Sequence, residues 1–279
     1  MNDIDTAESS AYRRRSPLEA VGAALARWIP QSGPRRWLRS AYHAALGGGR
    51  GVASTLPGGE TVRVLPEYRF VTWNAVEYDA FRAAARPGGV ALDVGANAGA
   101  YALLFGQWMR PGGRVFAFEP SPAAFDGLSR HVALNGLTDT VTPVRAAASD
   151  HAGSAALIGA GHHGTSRLAA AGERGTETVE TVTIDSFCAT HGITPTVIKI
   201  DVEGFELEVL RGARDTIARM SDPLALFVEM HPTVWRERGL PVEALHEELR
   251  LQGLRAEPLR PVPDAWALEG ECLRLVRAS

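Results

Sequence analysis

Two pairs of polar side chains, each pair at alternate positions where an apolar run ends, are the groups best placed to do chemistry in this chain of 279 residues. Asp201 and Glu203 follow Val197-Ile198-Lys199-Ile200, and Glu229 and His231 follow Leu226-Phe227-Val228. Alternate residues of a strand share a face, so all four would project from adjacent strand ends toward one crevice. Carboxylates beside a histidine can position a hydroxyl and remove its proton. They can also hold a divalent metal that does so, with Asp201, Glu229 and His231 as its ligands. Glu206 reads instead as a favourable charge in the first turn of the next helix. Lys199, the only lysine, stands in the same apolar strand and can pair with one of these carboxylates.

A second group lies upstream. Val90-Ala91-Leu92-Asp93-Val94-Gly95-Ala96-Asn97-Ala98-Gly99 reads as a buried strand, a tight turn and the start of a helix, the arrangement that holds a nucleotide-like ligand at strand carboxyl ends. Gly95 lets the backbone turn and Gly99 lets the helix pack close to the sheet. Asp93 would set a carboxylate beside a positively charged ligand group. Some twenty residues on, Phe116-Ala117-Phe118 ends in Glu119, whose two oxygens can accept both hydroxyls of a ribose. Ser121 caps the following helix or adds a contact. The next strand ends near Ala147, on a stretch 143–150 placed to line an adenine slot.

Stepping from these groups to the elements that carry them, strand-like and helix-like text alternates: 90–94, 101–109, 114–118, 123–135, 141–147, then 196–200, 206–219, 224–230 and 242–252. Such alternation predicts a mostly parallel sheet with right-handed crossovers. Two late strands, 254–259 and 272–276, finish it, the last one antiparallel. Before it come a hairpin across 52–64 and a helix over 73–85 that carries Glu77 and Tyr78. Between 149 and 182 the text is glycine- and threonine-rich and reads as a long loop, with His162, His163 and Thr165 able to meet an acceptor.

Composition excludes several classes. The formal net charge is −3, so no global basic field invites nucleic acid. Cys188 and Cys272 are far apart without metal-type spacing, which fits a reducing, cytoplasmic setting. Arg13-Arg14-Arg15 precedes an apolar run, but Glu19 and Arg27 bracket it too closely for an exported leader or a membrane span. Residues 1–50 are expected to form a helical extension or cap, and 51–279 the main domain.

The turn also bears on the cofactor. A pyrophosphate-binding loop needs a middle glycine where this chain has Asn97, so no diphosphate is expected. Asp93 suits S-adenosylmethionine better, whose methionine end carries an ammonium and a sulfonium.

Taken together, Leu92 to Gly99, Phe118-Glu119-Pro120, Ile198 to Glu206 with Val209 to Ala213, and Glu229-Met230-His231-Pro232 resemble the FkbM family of S-adenosylmethionine-dependent methyltransferases. The likeness runs from about residue 67 to 231. It implies a Rossmann-like class I fold with a seven-stranded sheet and helices on both faces. It also implies cofactor contacts at Asp93, Gly95, Asn97, Gly99, Glu119 and Ser121, and O-methylation of hydroxyls on sugars, glycolipids or polyketides in natural-product biosynthesis. Ala98 stands where the family often has a bulkier apolar residue and Ala100 where it often has another glycine or an aromatic residue, which bears on pocket shape.

The expected acceptor is a neutral, hydroxyl-rich small molecule, since the acidic strand ends would repel an anion. A divalent metal and a homodimer are both compatible with this reading. Two rivals are a nicotinamide-dependent oxidoreductase and a non-catalytic S-adenosylmethionine-binding scaffold. The latter would have no need of Asp201, Glu203, Glu229 and His231 together.

Overall fold

A computed structural model describes residues 51–68, 71–159, 166–169, 173, 175 and 177–278. The helical extension expected over residues 1–50, and His162, His163 and Thr165, lie outside the described residues. The chain divides into two compact units, Met1–Tyr78 and Asp79–Ser279. In the first, β1 (Val52–Thr55) and β2 (Thr61–Val64) pair antiparallel as the expected hairpin. The Tyr78 hydroxyl donates to Glu60 at 2.6 Å and accepts from the Gly58 N–H at 2.9 Å, which staples the turn. α1 covers Ala75–Ala84.

The second unit continues with β3 (Val90–Val94), α2 (Ala100–Trp108), β4 (Arg114–Phe118), α3 (Pro122–Leu134) and β5 (Val141–Val144). Then come β6 (Ala147–Ala148), β7 (Gly153–Ile158), β8 (Arg167–Leu168) and β9 (Glu177–Val182). The rest is α4 (Ile184–His191), β10 (Val197–Ile200), α5 (Glu206–Arg211), α6 (Arg214–Arg219), β11 (Leu226–Met230), α7 (Pro232–Glu237), α8 (Val242–Leu251), β12 (Leu254–Pro258) and β13 (Glu271–Arg277).

Seven strands form one sheet in the order β12-β13-β11-β10-β3-β4-β5, in which only β13 runs against the others. This is a Rossmann-like α/β fold. The order reverses at β3: the chain leaves β3 toward β4 and β5, then returns to β10 on the other side. Right-handed crossovers in opposite directions place helices on opposite faces, and the reversal opens a crevice at the carboxyl ends of β3 and β10. The central strands are apolar and fully buried, Leu92, Val94, Ile198, Ile200, Leu226 and Val228 each at 0% exposure, as a sheet covered on both faces requires.

Three expectations are corrected. The stretch 149–182 is not a structureless loop: with Ala147–Ala148 it builds a second, four-stranded sheet in the order β6-β9-β7-β8. β9 buries Val179 and Thr181 on one face and leaves Glu177, Thr178 and Glu180 exposed, and Leu157, Leu168 and Val179 pack against Ala147 and Phe205. The strand expected over 141–147 therefore ends at Val144, and Ala147 pairs with Thr181 of β9 instead. The single helix expected over 206–219 is two, α5 and α6, separated at Gly212, where a Cβ would meet the Ser149 carbonyl at 2.0 Å. Among the described residues, no helix is long and apolar enough to cross a membrane.

Candidate active site

The crevice at the strand ends is a cleft of about 650 Å³ counted out to its mouth. One side is made by Gly95, Asn97, Phe118, Glu119 and Ala146 to Ala148, the other by Leu157, Ser166, Arg167 and Leu168 of the second sheet. Asp201, Val202, Glu203 and Phe205 close it.

On the first side, the turn after β3 is shaped by close approach. Gly95 has φ +82°, and a Cβ there would stand 1.7 Å from the carbonyl oxygen of Asp201. The glycine thus joins the ends of β3 and β10. Asn97 holds φ 48° without being glycine, and its Oδ1 accepts the next N–H, of Ala98, at 2.7 Å, a local bond that supports the left-handed backbone. Gly99 packs on Leu128.

Glu119 points back into this turn. Its Oε2 accepts the Asn97 N–H at 2.9 Å and its Oε1 the Ser121 N–H at 2.8 Å. Burial pushes its pKa up to about 7, against the lowering effect of those two N–H groups. A carboxylate has about four acceptor positions, so each oxygen keeps one for the cleft. Ser121 contributes its backbone; its side chain is fully buried, makes no cap bond and is not on the cleft wall.

Asp93 is 1% exposed and does not line the cleft. It faces its cross-strand neighbour Lys199, whose Nζ lies 3.5 Å from Asp93 Oδ1 and 3.0 Å from Asp201 Oδ2. Burial raises the Asp93 pKa, opposed by the Lys199 charge. Burial alone would depress Lys199, but Asp201, Asp93 and Glu229 together hold its pKa above the usual value, so it stays cationic. The pairing expected for Lys199 thus involves both aspartates.

On the reaction side, Lys199 of β10 registers with Phe227 of β11, so the alternation of strand faces brings Asp201 beside Glu229. His231 is the residue before α7, 4% exposed. Its Nε2 looks out at three carboxylates: Glu203 at 3.5 Å, Asp201 at 3.8 Å and Glu229 at 3.8 Å. Its Nδ1 lies 2.8 Å from Glu206. Burial works against the imidazolium, but Glu206, Asp201 and Glu203 outweigh it and raise the His231 pKa to about 9. Glu203 sits at φ 53°, a strained conformation of the kind kept at functional sites, and burial raises its pKa.

The sequence reading of Glu206 as a simple first-turn charge is corrected. Glu206 is fully buried and accepts from His231 Nδ1, from the Gly204 N–H at 2.8 Å and from Trp235 Nε1 at 2.6 Å. It fixes the ring and its tautomer. Trp235 and Arg167 also escaped the sequence reading. A tryptophan four residues past the histidine, on the same helical face, was the available signal for Trp235. Arg167 lay in text read as loop.

Among the described residues, Asp201, Glu229 and His231 offer ligand atoms within 4.8 Å of one another, the spacing of a group that can hold one cation.

Comparison with known proteins bears on what this cleft serves. Residues 93–254 match the model of the methyltransferase FkbM domain. Over 146 residues the chain is 31% identical to the hexuronic acid methyltransferase AglP of Haloferax volcanii, covering 52% of this chain and 57% of that protein. Among solved structures, it is similar to the methyltransferase FkbM of Methylobacillus flagellatus, with 18% identity and a TM-score of 0.46 over 72% of this chain and 50% of that one. It is also similar to an S-adenosylmethionine-dependent O-methyltransferase of Thermotoga maritima, with 13% identity and a TM-score of 0.44 over 82% and 78%. The chain thus spans little more than half the length of the first of these relatives.

Proposed function

This chain belongs to the FkbM methyltransferase family, and from that premise we propose that it moves the methyl group of S-adenosylmethionine onto a hydroxyl oxygen of a small, hydroxyl-rich acceptor such as a sugar unit or a polyketide. The observation that carries the reading is His231: a buried imidazole held from behind by Glu206, with its other nitrogen beside the carboxylates of the cleft. A binding module has no need of such a ring. The likeness to a hexuronic acid methyltransferase supports a carbohydrate acceptor.

The cofactor fits the residues present. Glu119 keeps two free acceptor positions for a ribose diol, and Ala146 to Ala148 with Phe118 offer apolar surface for an adenine. Gly95 leaves the backbone open to the cleft. Asp93 serves at one remove, by holding Lys199, while Asp201 and Glu203 face the cleft where positive charge would be favoured. When bound, S-adenosylmethionine supplies an electrophilic methyl on a cationic sulfur.

The chain's own part is to orient the hydroxyl and take its proton. Asp201 and Glu203 accept hydrogen bonds from acceptor hydroxyls, which turns an oxygen lone pair toward the methyl. His231 Nε2 is the atom that receives the proton. With a pKa of about 9 the surrounding carboxylates keep the ring charged at neutral pH, and positive charge entering the cleft beside them lowers that value toward the range where Nε2 is a base. Such base catalysis typically contributes ~10²–10⁴-fold.

A second reading rests on the convergence of Asp201, Glu229 and His231. An oxygen-rich set with one imidazole suits magnesium or manganese, which would orient the hydroxyl while Nε2 serves as a ligand. Loss of activity with a chelator and its return with either ion would select this version; activity untouched by chelation would remove it.

The test of the function is an acceptor panel with methyl-labelled S-adenosylmethionine, setting glycosides, sugars and macrolides beside amines, DNA and RNA. Label on oxygen of a sugar or polyketide is expected. Label only on nitrogen or on nucleic acid would overturn the reading.

A further inference from the structure

Along its described lining the cleft carries three carboxylates, Glu119, Asp201 and Glu203, and one cation, Arg167. That arginine is on β8 of the second sheet, within the wall formed by Leu157, Ser166 and Leu168. Its side chain is only 19% exposed. Both arms of the guanidinium engage Glu173, Nη1 to Oε2 at 2.7 Å and Nη2 to Oε1 at 2.9 Å, and Nη1 also donates to the Leu168 carbonyl at 3.0 Å. The fork is therefore held in the two-bond geometry that matches a carboxylate, and a carboxylate occupies it. Glu173 itself is 38% exposed, so the occupant sits at the rim while the fork sits inside.

Charge placement gives this a meaning. The strand-end wall, with Asp201 and Glu203 and with His231 buried behind them, suits a hydroxyl and disfavours an anion. Arg167, on the second-sheet wall, is the one place along the described lining where an anion would be welcome. An acceptor that is hydroxylic at one end and acidic at the other would match both walls. We propose that Arg167 is the specificity-determining residue of the acceptor site: it binds a carboxylate group of the acceptor, which takes the place of Glu173 on the guanidinium fork. This rests on the methyltransferase reading above and names the chemistry of its acceptor. It also revises the expectation of a neutral acceptor, which weighed the carboxylates of the strand ends without an arginine facing them.

Glu173 then acts as an internal competitor. Exchange of one carboxylate for another conserves the ion pair on this partly buried guanidinium, so the arginine is not left uncompensated in either state. Removing the competitor should strengthen acid binding, whereas a purely structural clasp should be weakened by the same change.

The experiment uses the full chain with glucuronate and glucose, which differ at one carbon in carboxylate against hydroxymethyl, as binding probes followed by ligand-observed NMR. Glucuronate is expected to bind more tightly than glucose to the unaltered chain. Arg167→Ala should reduce glucuronate binding about 10- to 100-fold, the scale of charge-assisted hydrogen bonds, and leave glucose unchanged. Arg167→Lys should retain part of the preference, and Glu173→Ala should increase glucuronate affinity several-fold. No preference for glucuronate in the unaltered chain, including binding of neither sugar, overturns the proposal. So does a loss of affinity in Glu173→Ala, an outcome readable even if Arg167→Ala does not fold. S-adenosylmethionine affinity, measured by calorimetry in the same variants, should not change. Its loss in Arg167→Ala would assign the arginine to the cofactor and overturn the proposal while sparing the methyltransferase reading. Absence of methyl transfer to any acceptor would strike that reading and leave the sugar preference intact.

Discussion

On the side of the cleft formed by β3 and β4, one carboxylate, Glu119, is held by two backbone N–H groups within a short stretch of chain. On the side formed by β10 and β11, the imidazole of His231 is held by Glu206, which is held in turn by Trp235 and the Gly204 N–H, and it faces Glu203, Asp201 and Glu229. The first side depends on backbone shape. The second depends on charges from several elements that balance one another in a buried setting, where loss of one partner leaves another uncompensated. Substitutions should therefore act locally on the first side and spread on the second.

The change expected to break this distinction most severely is Gly95→Val. Its Cβ would collide with the Asp201 carbonyl, so a residue of the first side would damage the second as well. A left-handed backbone and overpacking together cost at least ~3 kcal/mol. Thermal unfolding should show the loss and calorimetry should show no cofactor binding. Normal binding would mean that the turn is not the cofactor's seat.

Glu206→Gln tests the spread on the second side. The amide keeps the shape but removes the charge that sustains the His231 imidazolium, so the His231 pKa should fall from about 9 toward its ordinary value. Turnover should drop by roughly 10- to 100-fold, since carboxylates bonded to the far nitrogen of functional histidines have effects of that order, with S-adenosylmethionine affinity near normal. The ring's titration can be followed by NMR. An unchanged His231 titration would show that Glu206 is only structural.

Glu119 gives the smaller, local effect. Glu119→Ala should weaken S-adenosylmethionine binding by roughly 1.5–3 kcal/mol without altering the His231 titration, the loss being that of charge-assisted hydrogen bonds. A pH dependence sharpens the point. Burial raises the Glu119 pKa to about 7, so below that value Glu119 is a neutral acid. Two ribose hydroxyls favour the carboxylate, so binding there must expel a proton. Affinity should thus decline as pH falls through about 7, by at most tenfold per unit, and level off above it. Calorimetry from about pH 5.5 to about pH 8.5 should show this slope in the unaltered chain and not in Glu119→Gln. A flat profile in both would remove Glu119 from the ribose site.

The sequence alone was enough for the strand-turn-helix at Asp93 to Gly99, the strand ending at Glu119, the alternation that makes a parallel sheet, and the two polar pairs at the ends of β10 and β11. These are local patterns: strand periodicity, glycine sterics and the position of a residue relative to a strand end need only near neighbours. Tertiary structure decided what those residues face. Asp93 meets Lys199 because β3 and β10 are adjacent and in register, though more than a hundred residues separate them in the chain. Glu206 became the support of His231 because α5 and the start of α7 converge, which no helical pattern announces. The stretch after Ala147 looked like loop because two of its strands are only two residues long, β9 is mostly polar and the text between them is glycine-rich, whereas the apolar cluster around Phe205 buries one face of the sheet they form. That sheet in turn brings Arg167 into the cleft, so the one cation along the described lining was set by packing between distant segments and not by any motif.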